Sequence, residues 1–65
     1  MTAEQLKKGR KALDVTQEQL AHRFDVDRTT VARWETNQLE IPKTVELALF
    51  FLLTREGLNP HTFFS

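Results

Sequence analysis

Apolar residues fall along this chain in short clusters at helical spacing, separated by polar stretches that carry start and stop signals. Leu6 and Leu13 share one stripe, with Lys7, Lys8 and Lys11 off it, which predicts a first helix over residues 3–13. Thr16 is suited to cap a second helix, with Gln19 three residues on to complete a capping box, and Val15 and Leu20 are spaced as a hydrophobic staple. The arrangement recurs eleven residues later, where Asp27 is an acceptor suited to capping and Val26 and Val31 flank it. These signals predict helices over 17–24 and 28–36. Leu20, Ala21 and Phe24 turn inward from the former, Val31 and Trp34 from the latter. Pro42 opens a fourth helix that ends near Glu56, with Arg55 in its last turn and Gly57 as the stop. Asn59-Pro60 starts a short fifth helix. The expectation is an all-α fold of four to five helices, one domain over residues 1–65.

The fourth helix departs from the amphipathic pattern. Val45, Leu47, Ala48, Leu49, Phe50, Phe51, Leu52 and Leu53 cover almost its whole circumference, so it needs cover on all sides. Most of it belongs in the core. Phe63 and Phe64 are placed to fold back over part of the remainder, and an apolar patch near its C-terminal end suits a weak homodimer formed through the C-terminal half.

Composition narrows the chemistry. At 65 residues folding buries only about 60% of the unfolded surface, so each core residue counts. With no cysteine there is neither a disulfide nor a thiolate metal site. The longest apolar run, Leu47 to Leu53, falls far short of the roughly 20 residues of a membrane span, and the N-terminus lacks a signal-peptide stretch. A soluble cytoplasmic protein without a membrane partner is expected. His22 and His61 fall on the outer side of a helix and in the tail, the sole serine is Ser65, and no glycine-rich phosphate loop exists. Neither an enzyme, a small-molecule substrate, a metal nor a cofactor is expected.

Net charge is zero, but its distribution is uneven: seven basic residues meet four acidic ones from Lys7 to Arg33, and two meet four from Trp34 onward. With Val31 and Trp34 turned inward, the third helix presents Thr29, Ala32, Arg33 and Thr36, with Arg28 in its first turn. Taken alone such a face fits the solvated side of an amphipathic helix; it also suits the DNA major groove, where arginine bonds guanine O6 and N7 with two parallel donors, and the threonine methyl meets thymine. Small Ala32 permits close approach. Arg10, beside the Leu6/Leu13 stripe, and Glu35, near the inward side of its helix, both require partners, because an unpaired buried charge costs several kcal/mol or more.

These features combine in a known pattern. Through Arg10, Leu13, Thr16-Gln17, Leu20-Ala21, Phe24, Val26, Thr30-Val31, Arg33-Trp34-Glu35 and Pro42, residues 6–53 resemble the Cro/cI-type, or XRE-type, helix-turn-helix domain of phage and bacterial repressors. The resemblance implies a compact lambda-repressor-like fold whose helix-turn-helix is formed by the second and third helices. It implies a repressor that binds a palindromic operator in double-stranded DNA, in bacterial or phage-infected host cytoplasm. Carried over by position, Arg28, Thr29, Ala32 and Arg33 become base contacts. Thr16, Gln17, Arg10, Thr36, Asn37 and Lys43 become phosphate contacts, with Gln17 first among them at the positive end of the second helix. The resemblance also implies that Arg10 and Glu35 pair with each other.

Two departures carry information. The family usually has glycine where this chain has Asp25 and Asn37, which predicts a left-handed backbone at both, tolerated by Asp and Asn at a cost of order 1 kcal/mol. Asp25, Asp27 and Glu40 also add negative charge near a surface meant for phosphates. That charge and the zero net balance leave one rival function: an interaction module of the same fold, of antitoxin or anti-repressor type, with little or no DNA binding.

Overall fold

A computed structural model describes residues 1–64 of the chain, with side chains through Thr62. Five helices follow one another: α1 (Ala3–Ala12), α2 (Gln17–Phe24), α3 (Arg28–Glu35), α4 (Lys43–Arg55) and α5 (His61–Phe64). No described residue lies in a strand. The expected boundaries hold to within a residue, Pro42 being the N-cap of α4 rather than its first helical residue.

Helix starts follow the capping chemistry in two of the first three cases. The Thr16 hydroxyl accepts the Gln19 N–H while the Gln19 side chain accepts from the Thr16 backbone, at 3.1 and 2.9 Å. The same box joins Thr2 and Gln5 at the head of α1. Asp27 occupies the N-cap of α3 with extended backbone, but its carboxylate makes no capping bond. Its own carbonyl takes the Thr30 N–H at 2.9 Å instead, and Thr30 has no carboxamide to complete a box.

Helix ends share one device. After each of α1 to α4 the chain turns left-handed, at Asp14 (φ 58°), Asp25 (φ 56°), Asn37 (φ 65°) and Gly57 (φ 77°). The next N–H then reaches back to the carbonyl five residues earlier: Val15 to Arg10, Val26 to Ala21, Gln38 to Arg33 and Leu58 to Leu53. This is the Schellman closure, which satisfies carbonyls that the helix leaves over. Val15, Val26 and Leu58, the residues after three of these turns, pack on the core. The left-handed backbone expected at Asp25 and Asn37 is therefore present, and Asp14 adds a third non-glycine case.

The core is Leu6, Leu20, Ala21, Val31, Trp34, Leu49 and Leu53, all buried. Helix α2 packs chiefly on α3, and α1 lies across α3, α4 and α5. Gly9 lets α1 approach α4 closely: a Cβ there would come within 2.9 Å of the buried Leu49 side chain. Helix α4 turns Leu49 and Leu53 inward and leaves Leu47 and Phe51, one turn apart, 58% and 64% exposed. Its apolar girdle is thus mostly core with an uncovered stripe. The expected cover by the Phe63 and Phe64 side chains lies outside the described residues. No described helix is long and apolar enough to cross a membrane.

Candidate nucleic-acid interface

The site is organised by a carboxylate that faces inward. Glu35 sits at the end of α3 with its side chain 1% exposed, and three donors from two other helices converge on it. Arg10 of α1 donates from Nε to Oε2 at 2.6 Å and from Nη2 to Oε1 at 3.1 Å. Gln17 of α2 donates from Nε2 to Oε1 at 3.0 Å. The remaining Arg10 nitrogen, Nη1, donates to the Val15 carbonyl at 3.0 Å, tying the network to the α1–α2 turn. Two-point Arg–carboxylate bonding fixes direction as well as distance, so α1 and the start of α2 are held in register against α3. The pairing of Arg10 with Glu35 is therefore observed. Gln17 and Val15 are additions that helical spacing does not reveal: an amide carries no charge demanding a partner, and a backbone carbonyl has no sequence signal.

With Val31, Trp34 and Glu35 buried, α3 exposes Arg28, Thr29, Arg33 and, just past its end, Thr36. Ala32 is half-buried, because it lies beside Glu35 on the helix barrel. Neither Arg28 nor Arg33 enters any ion pair among the described residues. Two cations and a threonine hydroxyl therefore stand on one free ridge.

The expected phosphate contacts divide into two kinds. Thr16 is exposed, and its hydroxyl oxygen accepts from Gln19, which leaves the hydroxyl proton for another acceptor. Gln17 gives one Nε2 proton to Glu35 and keeps the other. The first N–H groups of α2 beside them have no intrahelical partner and point out along the axis. Asn37 is exposed in its left-handed turn. Arg10, by contrast, is 13% exposed with Glu35 and Val15 occupying it. The Thr36 hydroxyl donates back to the Ala32 carbonyl at 2.9 Å. Lys43, itself exposed, lies 2.8 Å from Glu46 on α4. Among the described residues no group of three His, Asp or Glu side chains is placed to hold a metal.

A family model described as helix-turn-helix matches residues 6–49, most of the chain, and the chain belongs to that family. It is a DNA-binding regulator of the Cro/cI, or XRE, type, a family of regulators rather than of enzymes. No curated protein and no solved structure matches it.

Proposed function

We propose that the protein is a repressor that reads a palindromic operator from the major groove as a weak homodimer in the cytoplasm. The observation that carries this reading is the division of α3 into a buried edge, Val31, Trp34 and Glu35, and an exposed ridge, Arg28, Thr29 and Arg33. A helix held rigidly at its back and bearing two unpaired arginines in front can place guanidinium groups against guanine edges. Thr29 is the candidate thymine contact, and Ala32 keeps the approach close. Thr16, Gln17 and the N–H groups between them hold a phosphate at the start of α2, where the helix dipole favours an anion. Asn37 holds a second. Thr36, Lys43 and Arg10 join only by giving up bonds they make in the free protein, which ranks them below Thr16 and Gln17.

Two half-sites follow from the exposed Leu47 and Phe51 on α4. Pairing through that stripe relates two recognition helices by a two-fold axis, and successive major grooves lie about 34 Å apart. Selection from randomised duplexes tests the whole reading. The expected result is an enriched inverted repeat. Replacing Arg33 by Ala should weaken binding by about 1–3 kcal/mol and relax one base position in each half-site. Loss spread evenly over all sequences makes Arg33 a phosphate contact instead. No binding to any duplex at low salt returns the protein to the interaction-module reading.

A further inference from the structure

The recognition ridge is poor in charge. Arg28 and Arg33 are its only cations, Asp25, Asp27 and Glu40 are exposed nearby in sequence, and Arg10 is half-buried against Glu35. The largest local group of unpaired positive charge lies elsewhere, on α1. Lys7, Lys8 and Lys11 are all exposed, and no ion pair among the described residues involves them.

Their placement around α1 separates them. At 3.6 residues per turn, Lys7 and Lys11 lie about 60° and 100° around the barrel from Arg10, on the side away from Leu6. Arg10 points at Glu35 and the Val15 carbonyl, so its flank of α1 is the one beside the start of α2. Lys7 and Lys11 continue that flank outward, one turn or about 6 Å apart along the axis. Lys8 sits farther round; Glu4 stands three residues before Lys7 and four before Lys8, at pairing distance from both, yet forms an ion pair with neither. Beyond α1, Asp14 and Glu18 line a cleft with Val15 and Thr16 at the turn into α2, and neither enters an ion pair among the described residues. Two exposed cations that enter no ion pair among the described residues thus stand on the helix beside the start of α2.

We infer that Lys7 and Lys11 form a ridge that grips the phosphodiester backbone flanking the base pairs α3 reads. The inference rests on the DNA-binding reading above and assigns it a sequence-independent part. Arginine on α3 supplies discrimination, and the α1 ridge supplies affinity, with Arg10, bonded to Glu35, holding the two in register. Flexible lysines suit this task because a phosphate track needs charge and reach, not the two-point geometry of a guanidinium.

The test compares three proteins over 50–200 mM KCl, on a duplex carrying the selected site and on a random duplex: wild type, Lys7→Gln/Lys11→Gln, and Lys8→Gln/Arg55→Gln. The last removes the same charge from outside the ridge. Each phosphate neutralised adds about 0.9 to the slope of log affinity against log salt. The ridge variant should lose about 1.8 from that slope, so its affinity falls about 12-fold less than wild type across the fourfold salt change. Its base preference should be unchanged, and the control variant should keep the wild-type slope. An unchanged slope in the ridge variant, or an equal change in both variants, overturns the inference while leaving DNA binding intact. Failure of the wild type to bind either duplex at 50 mM overturns the DNA reading itself and the ridge with it.

Discussion

Glu35 shows how a single residue organises this site. Its carboxylate is buried, yet three N–H donors from α1 and α2 replace the water it gives up. Removing one partner of such a pair leaves an uncompensated charge, whereas removing both leaves an apolar contact. Arg10→Met should therefore destabilise the fold by about 3–5 kcal/mol in urea titration, and Arg10→Met/Glu35→Leu should recover most of the loss. Residual stability of the double variant no better than that of the single one counts against this account. Glu46 on α4 meets two cations instead. The Lys43 ammonium and then the Met1 amine, 2.8 and 2.7 Å away, hold its pKa at about 2 against the ordinary 4.5. A depressed folded-state value means the stabilisation is whole above pH 4.5 and is lost as pH falls towards 2. Glu46→Gln should flatten the pH dependence of the melting temperature in that window, and an unaltered profile would argue against the coupling.

At the scale of the element, helix ends are more uniform than helix starts. All four of the longer helices close through a left-handed residue, and three of the four do so without glycine. An L-residue pays of order 1 kcal/mol in that region, and β-branched residues are outliers there. Asp14→Gly should therefore raise the stability read from urea titration by up to about 1 kcal/mol, while Asp14→Val should lower it by at least as much with an unchanged m-value. Equal midpoints for all three side chains would remove strain as the explanation. Asp25 and Asn37 were legible because each stands where related chains use glycine. Asp14 was not, since a lone aspartate in a turn has many uses. The Thr2–Gln5 box repeats the spacing of Thr16–Gln19 and was readable in the same terms. The free carboxylate of Asp27 was not, because capping depends on which oxygen of the same residue reaches the N–H first.

For the whole molecule the open question is what meets Leu47 and Phe51. Both lie on the exposed side of α4, opposite the buried Leu49 and Leu53. If they form the two-fold contact, Phe51→Lys should shift sedimentation equilibrium towards monomer. It should also weaken binding to a full palindrome while leaving binding to an isolated half-site unchanged. Equal affinity of variant and wild type for the palindrome places the dimer contact elsewhere.

The amino-acid sequence by itself determined where helices start and stop and which face of each is apolar. These depend on residues three to five apart, whose chemistry is local. It also determined that Arg10 and Glu35 needed partners, since charge beside an apolar stripe does so in any fold. Tertiary structure alone decided what converges on that carboxylate. Gln17 from α2 joins Arg10 there, and the Val15 carbonyl accepts Arg10's remaining N–H, because packing brings three helices together, and no spacing rule covers groups 18 residues apart. Packing likewise required Gly9 against Leu49, drew Arg10 mostly out of solvent, and left Lys7, Lys8 and Lys11 exposed on α1. Local pattern wrote the helices; the distances between them made the surface.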